Sequence, residues 1–244
     1  MIRHVRQRLQ SRSAALLLTL EGGLARFGML WVTFIVGASA FRLATGPFEG
    51  LPAWTSVLAF LLLAVAPIGS ALLALSWFAE PRDIKRVPSA VRRHPLYGPS
   101  GVMVSLLVGL LIHVPLRASE YLVAMPALGG SVPPWLATLH FALTLDVVLF
   151  TSLYTIAFVA ALKRSTAFPP LLMLIWLADV AMQIGIGQAV AVAGGLPPAV
   201  DVALQRLLDG NLLKVLVSAA LWIPYLMLST RVAITYRHAL QVAR

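Results

Sequence analysis

The sequence contains no cysteine, which excludes disulfides, thiolate metal sites and cysteine nucleophiles. Charge is also scarce. Only 11% of the 244 residues are Asp, Glu, Lys or Arg, well under the roughly 25% usual in soluble domains. There is no HExxH pair, P-loop, dinucleotide-binding glycine turn or Ser-His-Asp arrangement, so the sequence gives no support to ATP-driven or hydrolytic chemistry. Internal repeats and low-complexity stretches are missing as well. The longest polar connection, 79–98, is too short to fold independently.

What the chain has in quantity is apolar surface. Hydrophobic residues make up 59% and the mean hydropathy is +0.88, which places it among polytopic membrane proteins. Apolar windows of about 20 residues, the length that crosses a bilayer as a helix, fall near 27–46, 56–78, 99–116, 136–161, 170–193 and 211–230. The expected fold is therefore an all-α bundle of six transmembrane helices. The first span is the least regular. It starts near Phe27, or earlier, near Ala14, with Glu21 and Arg26 in its first turns; alternatively AALLLTL forms a short interfacial helix ahead of it. Ala38-Ser39-Ala40 resembles a signal cleavage site, but Glu21 and Arg26 interrupt the apolar region before it, so an uncleaved span is expected.

Net charge is +10. In a soluble protein that would suggest nucleic acid; here the positions of the charges explain it. Arg3, Arg6, Arg8, Arg12 and Arg26, then Arg82, Lys85, Arg86, Arg92 and Arg93, then Lys163 and Arg164, and finally Arg231, Arg237 and Arg244 all fall on one side of the six-span arrangement. Only Arg42, Arg117, Arg206 and Lys214 fall on the other. The positive-inside rule then predicts that both termini are cytoplasmic. Trp54, Trp77 and Trp135 lie near span ends, where amphipathic rings favour the headgroup level. The Pro pairs of VPP, FPP and LPP separate spans. The expected partners are the bilayer and other membrane proteins or a second copy, with no role for nucleic acid.

From about Tyr97 onward, the order of features includes KRSTAFPPLLMLIWLADV and a last span ending WIPYLMLSTRVAITY. Trp222, Pro224, Tyr225, Ser229, Arg231, Val232, Thr235 and Tyr236 carry an aromatic-Pro-Tyr, Ser-x-Arg-Val, Thr-aromatic pattern. It resembles the four-span bacterial inner-membrane family known as domain-of-unknown-function family 2569. The resemblance covers about residues 97–244 and implies a location and an architecture but no activity. It divides the chain into an N-terminal basic segment with two spans, 1–90, and a four-helix bundle, 91–244. Arg231, together with Arg92 and Arg93, stands where a helix leaves the membrane and is expected to anchor topology or meet lipid headgroups. VRRHPLYGPSG also resembles the Arg-His-Pro-x-Tyr segment of the isoprenylcysteine methyltransferase family. That family's glutamate-rich helix and later Arg-x-x-Pro element do not follow, so a basic turn leading into the third span is expected.

Asp146 and Asp179 are the acids well inside spans, and such residues are functional candidates because intramembrane charge is costly. Counted at about 1.5 Å per residue from the connection between their helices, they fall about 10 Å apart along the membrane normal. That predicts separate steps of a proton or cation path rather than a pair on one metal. Gln183 and Trp176 share a face with Asp179, followed by Gly185 and Gly187, small residues that allow close helix approach. His140, Thr144, Thr151, Tyr154 and Thr155 form a separate stripe expected to knit helices together, with Asp146 about 120° away from it. His113 and His140, at similar depth on adjacent spans, could ligate a b-type haem; no other cofactor and no metal is expected. Three functional classes follow. The first is a non-catalytic accessory or assembly subunit, the second a small secondary transporter coupled through its acids, and the third a haem- or lipid-handling membrane enzyme.

Overall fold

The computed structural model describes residues 23, 25–46, 51–78 and 87–238. The basic positions Arg3, Arg6, Arg8, Arg12, Arg82, Lys85, Arg86 and Arg244, together with Glu21 and AALLLTL, lie outside these. Among the described residues all regular structure is helical. In chain order the helices are α1 (Ala25–Ala44), α2 (Trp54–Trp77), α3 (Ser89–Arg92), α4 (Val102–Ala124), α5 (Pro134–Leu162), α6 (Phe168–Ala193), α7 (Pro198–Leu228) and α8 (Thr230–Tyr236). Six of them, all but α3 and α8, are long and apolar enough to cross a membrane. Ala38-Ser39-Ala40 lies within α1.

Local sequence explains the boundaries. Prolines occupy the first turn of α5, α6 and α7, where the missing N–H has no intrahelical partner to lose and the fixed φ already suits a helix. Helix α6 stops at Gly194 and Gly195, with φ of 67° and 71°, a conformation that side-chain-bearing residues adopt only with strain.

Two spans differ from expectation. The third does not end at 116 but continues through Arg117 to Ala124, and the sixth begins at Pro198 rather than 211. The apolar windows read from sequence stop before Arg117 and begin after Arg206 and Asp209. A helix satisfies its own backbone, however, and continues wherever its charged side chains find partners. Arg117, assigned from sequence to an outer connection, is consequently a buried residue within α4.

Helix α5 is the centre of the bundle, packing against α2, α4 and α6, while α7 lies on α6 and α8 on α7. Sixty-one percent of the apolar window of α5 is buried, against 11% for α1 and α7, so those two are peripheral. The second span is thus built onto the four-helix part in space, although it lies outside the sequence resemblance. At one end of the bundle, Ser56 Oγ accepts the Leu128 N–H at 2.8 Å and the Ala53 N–H bonds the Leu128 carbonyl at 2.7 Å. These bonds tie the start of α2 to the α4–α5 connection.

Candidate functional site

Residues at helical spacing from three spans converge on one guanidinium. Helix α4 presents His113 and Arg117, α5 presents Asp146, Phe150 and Tyr154, and α6 presents Asp179 and Gln183. Members of each set recur at four-residue intervals and so share a helix face. Asp179 takes the end of the guanidinium, with Nη1 donating to Oδ2 at 2.8 Å and Nη2 to Oδ1 at 2.8 Å. Asp146 takes its side, receiving Nη2 at Oδ1 (2.6 Å) and Nε at Oδ2 (3.3 Å). Both contacts are two-pronged, the arrangement in which a planar guanidinium binds a carboxylate best. Nη1 also approaches His113 Nε2 at 3.5 Å, so all five N–H groups of Arg117 have a direction to donate in.

The surrounding groups complete the pairing. Gln183 donates from its amide nitrogen to Asp146 Oδ1 at 3.1 Å and to Asp179 Oδ1 at 3.2 Å, bridging the two acids. Tyr154 donates to Asp179 Oδ2 at 2.9 Å. Asn211 of α7 donates to Gln183 Oε1 at 3.4 Å, which brings a fourth helix to the cluster. The guanidinium carbon lies 4.7 Å from the centre of the Phe150 ring, and the His113 ring meets Tyr154 edge-on at 4.5 Å. Arg117, Asp146, Asp179 and Gln183 are all buried. One base against two acids leaves a formal charge of −1 (+1 − 2) if all three are ionised.

The structure thus brings Asp146, Asp179 and Gln183 together, and overturns the expectation that the acids stand about 10 Å apart in depth. That count treated α5 and α6 as parallel rods starting at one level. It also left out the reach of an arginine from a third helix. Tyr154 belongs to the cluster rather than to the packing stripe. The remaining stripe hydroxyls bond elsewhere: Thr144 to Tyr121, Thr151 to the Val147 carbonyl and Thr155 to the Thr151 carbonyl. None of them meets Asp146. A Cβ on Gly187 would lie 3.5 Å from Leu208, so α6 and α7 approach closely there.

No contact joins His113 to His140. The first is turned toward Arg117, and the second lies buried with its Nε2 unpartnered among the described residues. No group of three or more His, Asp or Glu able to hold a metal occurs among the described residues.

Arg231 faces inward along the chain rather than outward. Its Nη1 reaches the carbonyls of Leu96 (3.3 Å) and Gly98 (3.4 Å) and bonds the Ser100 hydroxyl. Thr235 accepts the Gly98 N–H at 3.0 Å, and Tyr236 donates to the Ala161 carbonyl at 3.0 Å. Burial pushes the Tyr236 phenol well above its ordinary range. Helix α8 therefore closes over the 94–101 turn, and the VRRHPLYGPSG segment is held as a turn: His94 Nδ1 accepts the Leu96 N–H, and Arg164 lies over the Tyr97 ring at 5.2 Å. Arg92 and Arg93 remain exposed beside it.

Sequence reasoning missed Arg117, Tyr154 and Asn211 as members of the site. The signal for Arg117 was available. Two intramembrane acids with no base on their own helices call for one on a neighbour, and VPLRASEYLVA remains apolar enough to continue a span.

No curated protein and no solved structure matches the chain. The family model described as "Protein of unknown function (DUF2569)" matches residues 100–237, which contain α4 to α8 and with them every member of the Arg117 cluster. That is more than half of the chain, and the chain belongs to this family.

Proposed function

We propose that the protein is a non-catalytic accessory or assembly subunit of a membrane complex. The observation that carries this reading is the closure of the Arg117 cluster. Its donors and the four carboxylate oxygens are engaged with one another. A centre that binds or converts a substrate needs polar capacity directed at that substrate, whereas this one directs its capacity at fixing α4, α5 and α6 together. The frame so formed turns apolar faces outward, such as Leu213, Val217 and Leu221 along α7, where a partner helix could pack.

Purification in mild detergent is expected to co-isolate a stoichiometric membrane partner, lost when Val217→Trp and Leu221→Trp are introduced together. A monodisperse chain that carries no partner when taken from its native membrane would defeat the reading. The charge asymmetry of the connections supports an orientation with both termini cytoplasmic; a bacterial inner membrane is proposed on the family resemblance alone.

A second reading, a small secondary transporter, is favoured by one feature: two acids share one base inside the membrane. Here Asp146 and Asp179 would be the coupling groups. In proteoliposomes, proton movement reported by an internal pH dye should disappear in both Asp146→Asn and Asp179→Asn. Equal signals in the wild type and both variants rule this reading out.

A further inference from the structure

Helices α1 and α4 enclose a lateral groove of about 590 Å³, within the roughly 300–1,000 Å³ of small-molecule sites. On α1 its wall is Phe34, Gly37, Ala38 and Phe41, spaced three and four residues apart and so on one face. Across from them stand Leu122 and Val123 of α4. Room in the groove comes from the two small residues, and a Cβ on Gly37 would meet nothing within 4 Å. Phe34, Phe41 and Val123 are exposed at its margins, so the groove opens sideways, toward the space that acyl chains fill.

At one end of this apolar channel stands a cation. Arg42 is the next position on the same face of α1, and its Nη2 donates to the Val123 carbonyl at 2.6 Å. That bond fixes the guanidinium over the last turn of α4. Among the described residues its Nε is buried with no hydrogen-bond partner, and no ion pair includes Arg42. Arg117 offers the contrast within the same chain, as a guanidinium whose charge is fully matched. Ser119 also lines the groove, with its hydroxyl donating to the Pro115 carbonyl at 2.7 Å. A mainly apolar channel, finished by a fixed cation that has no acidic partner among the described residues, is complementary to a molecule with an apolar tail and an anionic head.

We propose that this groove binds an anionic phospholipid, with an acyl chain along Gly37 and Ala38 and the phosphate on Arg42. The site is independent of the Arg117 cluster and of the functional readings built on it.

The test uses the full chain in nanodiscs of phosphatidylethanolamine and phosphatidylglycerol in a three-to-one mixture, released and weighed by native mass spectrometry. One retained phosphatidylglycerol per chain is expected for the wild type. Arg42→Gln should reduce that adduct about fivefold, the effect of removing one interfacial cation. Gly37→Leu, which fills the channel and leaves the cation in place, should reduce it as well, and Arg42→Lys should keep most of it. Elution as a single species with an unshifted melting temperature shows that each variant has folded. Equal retention in the wild type, Arg42→Gln and Gly37→Leu overturns the proposal. So does retention of phosphatidylethanolamine in place of phosphatidylglycerol, because the head would then not be selected by charge.

Discussion

Replacing Arg117 by methionine would leave Asp146 and Asp179 facing each other and Gln183 in a buried site without a cation. The side chain is close in length and fills similar space, so the loss is electrostatic rather than steric. Removing one partner of a buried ion pair costs about 3–5 kcal/mol. Here a single residue is the partner of two acids, held at 2.6 and 2.8 Å, so the upper part of that range is expected. At about 2–4 °C per kcal/mol for a chain of this size, Arg117→Met should melt roughly 10–20 °C below the wild type. The acids should behave differently. Asp146→Asn alone and Asp179→Asn alone each keep the side-chain shape and leave one acid against one base, a formal charge of zero, so each should cost less than Arg117→Met. The double Asn variant leaves the guanidinium unmatched and should again be severe. The triple variant Arg117→Met, Asp146→Asn, Asp179→Asn removes every charge and should recover much of the loss. The assay is thermal melting in one detergent, followed by intrinsic tryptophan fluorescence. An Arg117→Met protein that melts within about 2 °C of the wild type, or a triple variant less stable than Arg117→Met, would refute the argument that charge matching holds these helices.

Two further outcomes concern the end of the bundle closed by α8. Arg231→Gln removes the cation from the Leu96 and Gly98 carbonyls and should speed hydrogen exchange at the Gly98 N–H and proteolysis of the 94–101 turn, while leaving exchange around Asp146 unchanged; acceleration at both places would mean that the latch and the cluster are one unit. Burial pushes the ionisation of Tyr236 to higher pH, so its neutral form contributes stability fully below the unfolded value near 10, and that contribution is lost as pH rises above it. Above about pH 10 the wild type should therefore lose up to about 1.4 kcal/mol more per pH unit than Tyr236→Phe, read as melting temperature against pH; parallel slopes for the two proteins would contradict this.

Much of the architecture was legible because one physical rule dominates it. Backbone in a membrane must satisfy itself, so each apolar run of sufficient length becomes a helix. Asp146 and Asp179 were legible for the complementary reason, as charges where charge is costly. The same rule, applied locally, hid Arg117. Treating a charged residue as the end of a span removes from view any base whose partners lie on other helices. It also placed Asn211 at the rim of the sixth span, whereas α7 carries it close to the middle of Pro198–Leu228. Tyr154 was assigned by angle to the hydroxyl stripe. Its partner, Asp179, lies across on α6, and no helical-wheel argument on α5 alone could find it.

The cluster also sets a condition on the two functional readings. A scaffold keeps its bonds throughout its working life, whereas a transporter must separate at least one acid from Arg117 in each cycle. With about 3–5 kcal/mol for breaking one such partnership, and a factor of ten for each 1.4 kcal/mol, an open state that gains no new partner would be populated roughly once in a hundred to once in several thousand molecules. A ligand that drives opening must supply the missing interaction itself, because a ligand shifts an equilibrium only by its differential affinity for the two states. It would have to offer a cation to the freed carboxylate or an anion to the freed guanidinium. The geometry thus ties transport through this site to a charged ligand or a proton, and a neutral cargo has no means of opening it.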